Sequence, residues 1–144
     1  MILDEKGREK FDKYKTILVQ FSGGRDSSCA LWWAKRNFPD KRILAIYSTL
    51  EPEFPGMTAF VQDTTDFLQV DLEVVTSKHH WWQWISKKGW PSIIFRPCQG
   101  DFIHGPVNKL YKTFDYTNTL LTDGSRAKQG GRGSKKGKES KIPD

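Results

Sequence analysis

The sequence predicts a single α/β domain in which a mainly parallel sheet carries helices on both faces, and three observations support this. Short aliphatic or β-branched runs alternate with segments of helical length, the pattern of a parallel sheet built from β-α-β units. The run Ile43-Leu44-Ala45-Ile46 is apolar without alternation, as expected of a strand buried on both sides. Polar, turn-rich segments follow the predicted strands, where the loops of an open parallel sheet converge. The length of 144 residues suits one such domain, and no internal repeat interrupts it.

Taken in order, the first strand is read from Thr16 to Phe21 and the first helix from Ser27 to Phe38. The second strand runs from Arg42 to Tyr47. A helix from about Thr58 to Gln69 follows, in which Phe60, Val61, Phe67 and Leu68 recur at helical spacing. Leu72 to Thr76 is the third strand. Two helices are placed near Trp81 to Lys88 and Gly105 to Tyr111, with Pro106 suited to the first turn of the second. Thr119 to Thr122 is the last strand.

Charge divides the chain into two parts. Of the formal net charge of +6, residues 125–144 supply +5 through Arg126, Lys128, Arg132, Lys135, Lys136, Lys138 and Lys141, offset by Glu139 and Asp144. Residues 1–124 are thus read as the α/β domain, and residues 125–144 as a basic, Gly, Ser and Lys-rich tail expected to lack fixed structure. A contact of this tail with RNA or DNA is the weak, salt-sensitive kind. No apolar run approaches the ~20 residues of a membrane span, and Met1-Ile2-Leu3-Asp4-Glu5-Lys6 lacks a signal core, so a cytoplasmic protein without membrane contact is expected. Two distant cysteines, Cys29 and Cys98, fit a reducing compartment. Cys29 is read as packing. His79, His80 and His104 have no ligand spacing with either cysteine, so no structural zinc or iron–sulfur cluster is expected.

The run Ser22-Gly23-Gly24-Arg25-Asp26-Ser27-Ser28 lies between the first strand and the first helix. Adjacent glycines permit a tight turn and close approach of the backbone to an anion, and Ser27 and Ser28 are placed to cap the helix. A helix start beside such a turn receives phosphate through its N–H groups and dipole. The spacing is neither the Walker pattern nor the Gly-x-Gly-x-x-Gly fingerprint.

This run resembles the Ser-Gly-Gly-x-Asp-Ser signature of the PP-loop ATP pyrophosphatase superfamily, whose sheet is of the adenine nucleotide α-hydrolase, Rossmann-like type. Within it the chain is similar to the phosphoadenosine-phosphosulfate (PAPS) reductase branch. Glu51-Pro52-Glu53-Phe54-Pro55-Gly56 looks like the branch's acidic loop after the second strand, Arg96-Pro97-Cys98 like its Arg-x-Cys element, and Gly124-Ser125-Arg126-Ala127 with Arg132 like its late arginine segment. Arg25 stands where the branch usually has Lys. The Glu-Cys-Gly-Leu-His segment that carries the reductase nucleophile is not among these residues, and no cysteine follows Cys98.

The resemblance implies an ATP or PAPS-type nucleotide held by Ser22, Gly23, Gly24, Arg25, Asp26, Ser27, Ser28 and Arg132, with Mg²⁺ on Asp26. It implies catalytic roles for Asp26, Arg126 and Cys98, the last as a sulfur carrier. The implied chemistry is cleavage at the α-phosphate, in sulfur or nucleotide metabolism. Sulfonucleotide reduction and a nucleotide-binding subunit of a larger complex are the alternatives. Partners would be the small-molecule nucleotide, a sulfur-donor protein and a second copy of the chain. Glu51 and Glu53 are either loop charges or contacts to ribose or metal. The six tryptophans are read as helix-face core or a dimer surface, with base stacking as the alternative.

Overall fold

The computed structural model describes residues 2–92, 96 and 98–124. Four strands form one sheet: β1 (Thr16–Gln20), β2 (Arg42–Thr49), β3 (Asp71–Thr76) and β4 (Thr119–Thr122), in the order β3-β2-β1-β4. Every pairing is parallel, with Ile17 opposite both Ile43 and Leu120. The helices are α1 (Glu5–Glu9), α2 (Arg25–Asn37), α3 (Met57–Leu68), α4 (Trp81–Lys88) and α5 (Gly105–Tyr111), and a π-helical turn, Gln99–His104, leads directly into α5.

Side chains of the central strands alternate between two cores, as the two-residue period of a strand requires. Ile17, Val19 and Phe21 from β1 and its exit, with Ile43, Ala45 and Tyr47 from β2, pack against Leu31 and Ala34 of α2 and Val61 of α3. Leu18, Leu44 and Ile46 point the other way, toward Val107 and Leu110 of α5. Helices therefore cover both faces, and the apolar run in β2 is explained by double burial. A third cluster lies at the end of the sheet beyond β2 and β3. There Trp81 and Trp84 stack with centroids 6.1 Å apart, and Phe102 of the π turn meets them edge-on at 5.1 and 5.6 Å.

Local boundaries differ from the sequence reading in instructive ways. The first helix begins at Arg25, two residues before Ser27, because Gly24 takes the N-cap position. The short α1 and the π turn carry no periodic signal of their own. In α3 the buried stripe is Met57, Val61, Thr65 and Leu68, so Phe60 and Phe67, about 100° to its side, are 51% and 87% exposed rather than core. Cys29 is likewise exposed and not packed, because α2 turns Ser27, Leu31 and Ala34 toward the sheet. Of the tryptophans, Trp33, Trp81 and Trp84 join aromatic clusters, whereas Trp32, Trp82 and Trp90 face solvent.

Candidate functional site

The chain leaves the sheet at Phe21, whose N–H still donates to Ile46 O at 2.8 Å. It then turns through Gly23, at φ +74°, a left-handed conformation natural to glycine. A Cβ there would also sit 3.1 Å from Met57 Sδ and 3.3 Å from Val61 Cγ2, so the turn lies directly on α3. Ser27 holds the loop closed. Its Oγ donates to Gly24 O at 2.9 Å, accepts from Ser22 N–H at 3.2 Å, and shares a 3.1 Å bond with Ser22 Oγ. One donor and two acceptor positions saturate a hydroxyl. Ser28 Oγ also donates to Gly24 O, at 3.0 Å.

The expected helix capping by Ser27 and Ser28 is therefore corrected. Both lie inside the first turn and bond back to the carbonyl of Gly24, which as N-cap places no side-chain acceptor over the first-turn N–H groups. That arrangement leaves the helix start suited to an external anion. Arg25 is highly exposed and lies 3.5 Å from the Asp26 carboxylate, a surface pair of little energetic weight.

The end of β4 closes the site from the other side. A Cβ on Gly124 would lie 2.6 Å from Asp26 C and 2.7 Å from both Asp26 O and Ser27 N, so only glycine fits against this peptide. A cleft of about 220 Å³ opens between the ends of β1 and β4, lined by Gln20, Ser22, Asp26, Ser27, His104, Asp123 and Gly124. A more open depression shares Ser22, Asp26 and Ser27 with it and adds Gly24 and Arg25. Chain connectivity reverses between β1 and β4, and such a switch point is where open α/β sheets bind ligands.

The structure thus brings Ser22, Gly24, Arg25, Asp26 and Ser27 to one cleft and its mouth, with Gly23 shaping the turn. Cys98 is elsewhere: it is half-buried against the Trp81, Trp84 and Phe102 cluster and is not among the residues lining the cleft. Arg126, Arg132 and the remainder of the tail lie outside the described residues. Sequence reasoning gave no site role to Gln20 or His104. Gln20 was legible as a polar residue closing an apolar strand, but His104 reaches the cleft only because the π turn places it there.

Glu51 proves to be a structural anchor. Its carboxylate accepts from Trp81 N–H at 2.6 Å and bonds His80 Nδ1 at 3.0 Å, pinning the start of α4. The bond to His80, supported by the Trp81 N–H, holds this carboxyl below the usual range. Glu53 accepts from Thr49 Oγ1 at 3.4 Å. Beside it, burial and then the Glu53 carboxylate push the Tyr47 phenol well up, so it stays neutral.

The residues of the cleft fit Mg²⁺. Asp26 and Asp123 both line it, while among the described residues no group of three or more His, Cys, Asp or Glu forms a metal cage. Mg²⁺ favours one or two carboxylates with phosphate and water as its other ligands.

Fold and cleft together define a Rossmann-like α/β protein with a cleft at the first strand's exit. The chain matches the Phosphoadenosine phosphosulfate reductase domain over residues 16–141 and belongs to that family, within the PP-loop superfamily. Proteins of this family bind adenine nucleotide substrates. An uncharacterized protein of Methanocaldococcus jannaschii is 29% identical over 115 residues, which cover 80% of this chain and 27% of that protein. The chain therefore spans about a quarter of that relative's length. A crystal structure of a protein from the universal stress protein family from Burkholderia pseudomallei is similar over 77% of this chain and 97% of its own, at 16% identity. The TM-score between the two is 0.34. Among the described residues no helix is long and apolar enough to cross a membrane.

Proposed function

We propose that the chain binds ATP or a related adenine nucleotide in the β1–β4 cleft, with the phosphates on the 22–28 loop, and cleaves it at the α-phosphate. The observation that carries this reading is the coincidence of the loop, the switch point and the cleft that Gly124 closes. An acceptor oxygen attacks the α-phosphorus, the bond to the bridging oxygen breaks, and pyrophosphate leaves with the charge it gains. Loop amides and the α2 start stabilise that charge. Asp26 and Asp123 would hold Mg²⁺, whose chemistry is to neutralise the phosphates. Arg126 and Arg132 are assigned to the anionic end of the ligand. Cys98 is the candidate sulfur carrier only through the likeness of Arg96-Pro97-Cys98 to the family's Arg-x-Cys element, since its side chain packs on the Trp81, Trp84 and Phe102 cluster and not in the cleft. Residues 1–124 form the α/β nucleotide-binding domain, and the basic extension 125–144 contributes Arg126 and Arg132.

The family match also supports a sulfonucleotide reading, in which the same loop holds PAPS and a thiol supplies electrons. Titrating ATP, AMP and PAPS against tryptophan fluorescence, followed by pyrophosphate release with Mg²⁺ and sulfite release from PAPS with thioredoxin, separates the two. ATP binding with pyrophosphate release is the expected result, and Asp26→Asn should sharply reduce the release that Mg²⁺ supports. Nucleotide binding without either product would assign the chain to a binding subunit. No binding at millimolar nucleotide would overturn the loop assignment itself.

A further inference from the structure

A second concave surface lies apart from the nucleotide cleft. A recess of about 340 Å³ beside α4 is lined by His79, His80, Gln83, Trp84, Lys87, Lys88 and Asp101. Asp101 is also a wall of an adjoining recess of about 230 Å³ that adds Lys78 and Lys109. Thr76, Pro106 and Lys109 are shared in turn with a third, of about 280 Å³, along α5. The three recesses adjoin one another, the first two at Asp101 and the last two at Thr76, Pro106 and Lys109, along a surface from α4 past the π turn to α5.

Its lining is mostly basic, although the Glu51 carboxylate sits behind His80, 3.0 Å from its Nδ1. Lys78, Lys87, Lys88 and Lys109 line it together with His79 and His80, and Asp101 is the one carboxylate among the described lining residues. That carboxylate is already engaged, accepting from Trp84 Nε1 at 2.7 Å. Lys87 and Lys88 follow Gln83 and Trp84 by one helical turn, so α4 presents both cations on one stripe toward the first recess. The nearly balanced composition of residues 1–124 makes this concentration a local feature and not the overflow of a basic domain.

We propose that this surface binds single-stranded nucleic acid by its phosphate backbone. A row of adjoining recesses with lysines at intervals suits one flexible strand that can follow them, whereas a rigid duplex cannot enter successive recesses. Non-specific single-strand sites combine such a basic track with salt-sensitive binding. The π turn joins the two sites: Asp101 and Gly105 wall the second recess, and His104 between them lines the nucleotide cleft.

The test is fluorescence anisotropy of the full chain with labelled 20-nucleotide single-stranded DNA, single-stranded RNA and the matching duplex, between 50 and 300 mM salt. Binding of the single strands should weaken with a log–log salt slope of about −3, as four phosphate contacts require. The triple variant Lys87→Glu, Lys88→Glu, Lys109→Glu should weaken it at least about tenfold and flatten the slope, with its circular dichroism and ATP titration unchanged. A second variant, with Lys135, Lys136, Lys138 and Lys141 changed to Gln, should keep most of the affinity. Absent binding at 50 mM salt, tighter binding of the duplex, or loss in the tail variant with none in the triple variant would each overturn the proposal. The unchanged ATP titration keeps this outcome separate from that of the nucleotide cleft.

Discussion

The ends of β1 and β3 open toward the same side of one parallel sheet, but they are secured by different means. After β1 the chain is held by contacts within a few residues, Ser27 with Ser22 and Gly24, and by one glycine from β4 that fits against the Asp26–Ser27 peptide. After β3, α4 is held by residues far away in sequence: Glu51 bonds the Trp81 N–H from 30 positions before it, and Asp101 bonds Trp84 from 17 after it. Ser48, at the end of β2, donates to Phe102 O at 2.6 Å across 54 positions. A short loop specified by its own backbone keeps its shape through neighbouring residues. Segments specified by long-range bonds and aromatic packing depend on the whole upper edge of the sheet.

The largest effect should come from Gly124, the distant residue that lies against the backbone of the loop after β1. Gly124→Ala drives a methyl group into backbone atoms that have no rotamer with which to yield. It should cost about 1–3 kcal/mol of stability in urea unfolding. Nucleotide affinity should fall by at least about tenfold, since a shift worth ~1.4 kcal/mol at the loop is that factor. Stability loss with unchanged affinity would show that the loop and the binding site are not one structure.

On the other side, Trp84→Phe keeps most of the aromatic packing but removes the Nε1–H donated to Asp101. A bond to a charged acceptor predicts a loss of about 1–3 kcal/mol. ATP binding should stay within about threefold of the parent, because the loop after β1 does not rest on this bond. A parallel fall in ATP affinity would mean that the two ends of the sheet are coupled through the π turn and His104.

This contrast also explains what the sequence made legible. The strands, three of the helices nearly to the residue, and the 22–28 loop were readable because their causes are local: unbroken aliphatic runs, adjacent glycines, a proline in a first turn. Phe60 and Phe67 misled because helical spacing does not say which side of a stripe meets the sheet. The π turn, the anchoring role of Glu51 and the entry of His104 into the cleft arise from pairings across 17 to 54 positions or from backbone geometry that leaves no periodic trace. The resemblance located the late glycine, and the structure supplied its physical reason.

A smaller effect sharpens the local side. Ser27→Ala removes the hydroxyl that closes the loop, leaving Ser22 N–H without that acceptor and Gly24 O with the Ser28 hydroxyl and N–H. The loss should be about 0.5–1.5 kcal/mol. Ser27→Thr, which restores the hydroxyl, should recover more of the nucleotide affinity than of the stability, because its added methyl enters a nearly buried position.

The smallest effect concerns pH and the long-range side. Glu51 is held below the usual carboxyl value by His80 and the Trp81 N–H, so its folded-state value is lower than its unfolded one. A depressed carboxyl contributes stability that is complete above the unfolded value, near 4.5, and is lost as pH falls through the folded value. Lowering pH from 5 toward 3 should therefore loosen the start of α4, seen as a change in tryptophan emission from Trp81 and Trp84 before the sheet unfolds. Glu51→Gln should remove that step while leaving the later global transition in place. The bonds that close the loop after β1 run between hydroxyls and backbone and carry no titratable partner. ATP binding should accordingly be the same in Glu51→Gln and the parent at pH 7. An emission step that survives Glu51→Gln unchanged would place the acid-sensitive anchor of α4 elsewhere and remove the main electrostatic difference between the two ends of the sheet.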